Sequence, residues 1–283
     1  MRSTSIIAFF LLTFVVSWTL WIAAAAVFDG VAATSQVSPG IRALIFLPGT
    51  FAPSLVAVAL TARQEGRARV FALLQRLFQW RVGLRWYAFA IVYMAAIKLT
   101  AALVHRVATG SWPRFGDTAL YVMLAATMFS TVVGGQAGEE IGWRGYALPR
   151  LTTRMGLAGA SVLLGVIWAA WHLPLFFIPR TDLTGQSFPF FLLAVTPLST
   201  AITWLYWRTN GSLLLTMLMH AAINNTTAIV PSGNTGGTNP WILRTSLIGW
   251  TTIALLWIAA VFFMARMPKS ESDFAPGMLG SVR

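Results

Sequence analysis

The chain has 283 residues, 57% of them apolar and only 10% charged, with a mean hydropathy of +0.71 and a net charge of +12. Soluble domains carry roughly a quarter charged residues, so water is excluded as the solvent for most of this surface. The lack of cysteine excludes a disulfide framework and thiolate-held zinc. The basic residues sit between apolar stretches, which reads as topology signals and headgroup contacts rather than a nucleic-acid surface.

A bilayer-spanning helix needs about 20 mostly apolar residues. Eight stretches qualify, at about 5–28, 41–62, 86–107, 118–137, 156–178, 187–207, 213–232 and 241–264. The expected fold class is therefore an all-α polytopic membrane protein of about eight transmembrane helices, a single membrane domain over residues 1–283. The first stretch is longer than the roughly 7–15 residues of a signal-peptide core, and it reads as a retained helix. Spans four and seven carry the most polar residues and are the weakest by hydropathy.

Basic residues in short loops set orientation. Arg63, Arg67, Arg69, Arg76, Arg81 and Arg85 lie between spans two and three, Arg144, Arg150 and Arg154 after span four, Arg208 after span six, and Arg266 and Lys269 after span eight. The alternate connections are poorer, with none after span one until Arg42, then Arg106 and Arg114, then Arg180. With eight spans the rich segments share one side, and both termini are expected in the cytoplasm. Within the segment 63–85, Val70, Leu73, Leu74, Leu77 and Phe78 form one helical stripe among arginines, the pattern of an amphipathic helix lying on cytoplasmic headgroups. The tail over 268–283 is polar and contains glycine and proline, so disorder is expected there.

Of the eight acidic residues, two stand side by side at the end of span four, Glu139 and Glu140. Carboxylates near hydrocarbon are costly and face a protein interior or a water-filled cavity. On a helix Glu140 and Arg144 are spaced i and i+4 and pair, while Glu139 projects about 100° away and stays available as a base. His172 lies in Trp168-Ala-Ala-Trp171-His172, just before the helix-breaking Pro174, and His220 precedes Asn224 by one turn in span seven. Imidazoles act as bases, hydrogen-bond donors or metal ligands, and an amide such as Asn224 can hold a developing oxyanion. His105 reads as structural or solvated, and Trp168 and Trp171 as packing or belt residues. Any one polar group here is compatible with an ordinary interhelical hydrogen bond; what points to chemistry is three helices each supplying acid–base groups. Gly134, Gly138 and Gly142 add a groove that admits a close neighbouring helix, one able to carry a histidine toward the glutamates.

Glu139-Glu140-x-x-x-Arg144, Trp168-x-x-x-His172 and His220-x-x-x-Asn224 resemble, in order, the three motifs of the CPBP intramembrane proteases, which include the type II CAAX prenyl endopeptidases and bacterial Abi-type immunity proteins. The resembling region is about 118–232, the expected catalytic core. Trp168 stands where phenylalanine is commonest, and an aromatic is retained. The resemblance implies an eight-helix fold with a polar intramembrane cavity, peptide-bond hydrolysis, and a bacterial plasma-membrane location. It implies Glu139 as the base that activates water, His172 as its positioner, His220 and Asn224 as oxyanion stabilisers, and Glu140 with Arg144 as the brace. The implied substrate is a membrane-associated protein or peptide; a prenylated CAAX protein is the best-known one in the family, and nothing in the sequence identifies it.

Glu139, His172 and His220 match the ligand count of a zinc hydrolase, but the His-Glu-x-x-His arrangement is missing, and the sequence leans slightly against an obligatory metal. Two other classes remain open at this point. One is a non-catalytic immunity or scaffold protein of the same fold. The other is a proton-coupled transporter, which calls for inverted repeats; no repeat is found.

Overall fold

The computed structural model describes residues 4–32, 39–179, 181–232 and 237–268. Arg180 and Lys269, used in the orientation reading, lie outside these, as does the expected disordered tail apart from Pro268. The regular elements are helical: α1 (Thr4–Ala32), α2 (Pro39–Glu65), α3 (Arg67–Gln75), α4 (Leu84–Thr109), α5 (Leu120–Val133), α6 (Gly135–Glu140), a π-helical turn (Ile141–Ala147), α7 (Leu148–Trp171), α8 (Phe188–Arg208), α9 (Leu213–Thr226) and α10 (Leu247–Arg266). Among the described residues six stretches are long and apolar enough to cross a membrane, and two shorter apolar helices, Leu120–Thr131 and Leu213–Ile229, correspond to the weak spans four and seven. The chain is an all-helical, multi-pass membrane protein.

The glutamates do not sit at the cytoplasmic end of a helix over 118–137, as the hydropathy suggests. Span four breaks at Gly134, whose backbone is extended (φ −79, ψ −179), and helical structure resumes from Gly135 and continues past Arg150. The chain then turns back at Gly156, where φ is 69, a left-handed conformation that glycine adopts without a Cβ penalty. The two legs run antiparallel. Arg144 lies over the Trp168 ring at 4.6 Å, and each is twelve residues from Gly156; Trp143 meets Trp171 edge to face at 5.6 Å. Glu139 and His172 are thus 17 and 16 residues from one bend, about 24 Å along ideal helices. Equal path lengths on both legs put them at a common level of the bundle, remote from the bend.

The glycine groove is real, but the helix it admits is α2, which carries no histidine. A Cβ on Gly138 would stand 2.8 Å from the backbone of Thr50 and Phe51, and one on Gly142 2.6 Å from Pro53. Pro48 and Pro53 lie inside α2 and remove two backbone donors at this contact; Ser54 Oγ donates to the Ala137 carbonyl at 2.7 Å across it. The histidines arrive on other helices. The return leg of α7 packs on α8, with Gly165 against Thr196, and brings His172. Helix α9, nearly buried all round and packed on α4, α5 and α8, brings His220.

At the basic end, α3 leaves α2 at Gly66 (φ 85). Leu73 is buried and Val70, Leu74 and Leu77 are half-buried, so most of the expected stripe faces the protein. Phe78 is 77% exposed instead. The helix tightens to 3-10 geometry over Arg76–Phe78, and the change of period turns Phe78 out of the stripe. Glu65, at the end of α2, pairs with Arg150 and ties this end of the bundle together.

Candidate active site

Glu139 and Glu140 lie next to the π-helical turn Ile141–Ala147. Such turns recur at functional sites because they redirect side chains. Glu140, Arg144 and His220 form one buried cluster. Arg144 Nη1 donates to Glu140 Oε1 at 2.7 Å, and His220 Nδ1 contacts the same oxygen at 2.9 Å. Arg144 Nη2 also donates to Ser199 Oγ at 3.4 Å, and that hydroxyl donates to the Ser161 carbonyl at 3.0 Å. The i and i+4 pair expected from sequence therefore exists, and its charges are desolvated together, the condition under which a buried ion pair is tolerated.

Glu139 stands apart from that pair. Its Oε2 accepts from Trp168 Nε1 at 2.6 Å. Its Oε1 is directed toward the Gly135 side, where a Cβ on that glycine would be 3.9 Å away. Trp168 also meets the His220 ring edge to face at 5.0 Å. Its backbone carbonyl lies 2.8 Å from His172 Nδ1. A carbonyl only accepts, so Nδ1 of His172 carries the proton, and the neutral ring keeps a lone pair on Nε2. Trp171 and Phe191 flank that ring at 4.7 and 5.2 Å.

Of the six residues singled out from sequence, Glu140, Arg144 and His220 are in direct contact, and Glu139 and His172 join them through Trp168. Asn224 is not drawn into the cluster: it is exposed, one turn beyond His220, and its side chain makes no hydrogen bond to the other described residues. His172 is half-buried, so this residue and Asn224 mark where the buried cluster meets its surroundings. Among the described residues no group of three histidine, aspartate or glutamate side chains is arranged to ligate one ion. The contacts of His172 and His220 with the Trp168 carbonyl and Glu140 are made through Nδ1, and Nε2 is the remaining nitrogen of each ring.

Trp168 is the site residue that sequence reasoning discounted, since a membrane tryptophan reads as packing. Lys98 was passed over too. It is buried in α4, and its Nζ donates to the Val230 carbonyl at 3.0 Å and Ser232 Oγ at 2.7 Å. These bonds fasten α4 to the segment after α9, a structural use of an intramembrane cation.

The model of the family described as type II CAAX prenyl endopeptidase, Rce1-like, matches residues 119–226, the stretch that carries Glu139 through Asn224. CAAX prenyl protease 2 of Methanococcus maripaludis is 30% identical over 226 residues, covering 76% of this chain and 81% of that protein. The chain belongs to the type II CAAX prenyl endopeptidase family. It is accordingly an intramembrane peptidase of the CAAX prenyl protease type, acting on membrane-associated protein. Within that family match, the buried Glu140–Arg144–His220 cluster and the Glu139–Trp168 bond lie inside the 119–226 stretch.

Proposed function

We propose that this peptidase hydrolyses its substrate with a water activated by Glu139 and without a covalent enzyme intermediate. The observation that carries this is a second buried carboxylate left outside the Glu140–Arg144 pair, with Oε2 bonded to an indole and Oε1 making no hydrogen bond to the described residues. Water held at Oε1 loses a proton to Glu139 as its oxygen attacks the scissile carbonyl carbon. The Nε2 lone pair of His172 accepts the water's other O–H and aims it. As the carbonyl oxygen becomes an oxyanion, His220 and Nδ2–H of Asn224 stabilise it, while Glu140 orients the His220 ring through Nδ1. Collapse of the tetrahedral species breaks the C–N bond, and Glu139 returns its proton to the leaving amine. General base and oxyanion contributions of about 10²–10⁴ and 10²–10³ are typical of such groups.

For the substrate, we infer a membrane protein or peptide ending in a prenylated CAAX sequence. The support is the name of the family and of the methanococcal relative, together with a candidate site enclosed by apolar helices, where a lipid-modified cysteine would bring its neighbouring peptide bond. The test is cleavage of paired reporter peptides, prenylated and unprenylated, by detergent-purified protein. Preference for the prenylated peptide by tenfold or more in kcat/KM is expected. Equal cleavage of both would remove the lipid from substrate recognition.

A further inference from the structure

Trp168 contacts four of the six groups of the candidate site. Its indole N–H donates to Glu139 Oε2 at 2.6 Å, its ring lies 4.6 Å from the Arg144 guanidinium and 5.0 Å from the His220 ring, and its carbonyl holds His172 Nδ1 at 2.8 Å. The carbonyl contact is available to any residue at this position. The indole N–H is not: phenylalanine, the commoner residue in the resembling motif, offers a ring and no donor. We propose that Trp168 is a positioning residue for the hydrolysis, its N–H occupying Oε2 so that Oε1 of Glu139 is the oxygen that takes the proton from water. This rests on the reading of Glu139 as the base.

A glutamate has two equivalent oxygens and three side-chain torsions, so an unanchored carboxylate spreads over several orientations. Here Trp168 is 5% exposed and Glu139 6% exposed, and no water competes readily for the bond. Helix α7 holds the indole, α6 holds the carboxylate, and the N–H···O contact at 2.6 Å locks one leg of the Gly156 hairpin to the other beside the reacting oxygen. A charge-assisted bond of that kind is worth about ten- to a hundredfold in a rate that depends on the geometry it holds. The bond orients the catalyst and makes no contact with the substrate, so its loss belongs in kcat.

The decisive variant replaces Trp168 with 3-benzothienylalanine, an isostere with sulfur in place of the N–H, beside the ordinary substitution Trp168→Phe. Reporter cleavage should show kcat lower by about ten- to a hundredfold with KM changed less than twofold in the isostere. In protein carrying ¹⁵N-indole tryptophan, the Nε1–H resonance that disappears in Trp168→Phe should move upfield in Glu139→Gln, where a neutral amide replaces the carboxylate. An isostere with wild-type kcat, or an indole resonance indifferent to Glu139→Gln, overturns the proposal. Misfolding of Trp168→Phe leaves the decision with the isostere, which keeps the shape. An active isostere beside an inactive Glu139→Gln refutes the role of Trp168 alone, whereas an active Glu139→Gln refutes the base assignment on which it stands.

Discussion

Glu140 and Arg144 show what a buried charge does in this protein. Both side chains are fully buried, and Glu140 Oε1 serves the guanidinium and His220 at once. Removing either partner strands the other in a low-dielectric interior, a loss of about 3–5 kcal/mol. Arg144→Met is therefore expected to lower the thermal midpoint in detergent sharply, while His172→Ala, at a half-buried position, should leave the midpoint close to wild type and lower kcat by about 10²–10⁴. A stable Arg144→Met protein would show that the cluster is not an electrostatic brace. At this scale the sequence was legible where spacing within one helix decides contact, since Glu140 and Arg144 meet through i and i+4 geometry alone. It was silent on the His220–Glu140 contact, which joins residues 80 positions apart. It was misleading on Trp168, whose N–H reads as packing until its partner is known. It also placed Asn224 beside His220 correctly without showing that Asn224 would be the exposed member of the set.

Individual helices account for how those residues reach one level of the bundle. Eight apolar helices were legible because about 20 apolar residues are needed to span a bilayer, and the two short ones were the two weakest stretches. The break at Gly134 and the bend at Gly156 were not legible. Hydropathy averages over windows longer than either, and the Gly134-Gly135 pair, a helix-breaking signal, reads equally as part of the packing groove. The close approach of α2 was readable from the glycine spacing, but the identity of the approaching helix was not. That contact carries a sharp expectation. At Gly142 even a Cβ falls 2.6 Å from the Pro53 backbone, so Gly142→Val must push α2 away from the π-helical turn. Overpacking costs about 1–3 kcal/mol, and the displacement reaches Glu139 one turn away. Gly142→Val should lose stability and activity together, measured by thermal unfolding and reporter cleavage, whereas Gly159→Ala, with its nearest contact at 3.4 Å on the flexible Met155 side chain, should change neither by much.

Seen whole, the described helices form a bundle in which the candidate site lies inward from a basic, arginine-rich end. His220 lies eight residues beyond Ser212, the cap that starts α9 near that end, or about 12 Å in. The orientation proposed from the arginine loops puts this end in the cytoplasm. The chain has no cysteine, so single cysteines report on topology directly. A cysteine at Arg67 should be blocked by a membrane-impermeant maleimide only when the cytoplasmic face is accessible, and one at Asn239 only from the opposite face; the reverse pattern would invert the bundle.

The central proposal is that Glu139 is the base and activates water without an obligatory metal. It is tested most directly by the rate of reporter cleavage for wild-type protein and Glu139→Gln, each shown to be folded and each measured with and without a chelator. The account predicts wild-type turnover that the chelator leaves unchanged, and a Glu139→Gln rate lower by at least about 10². Turnover retained in Glu139→Gln, or abolished by the chelator and restored by zinc, would contradict it.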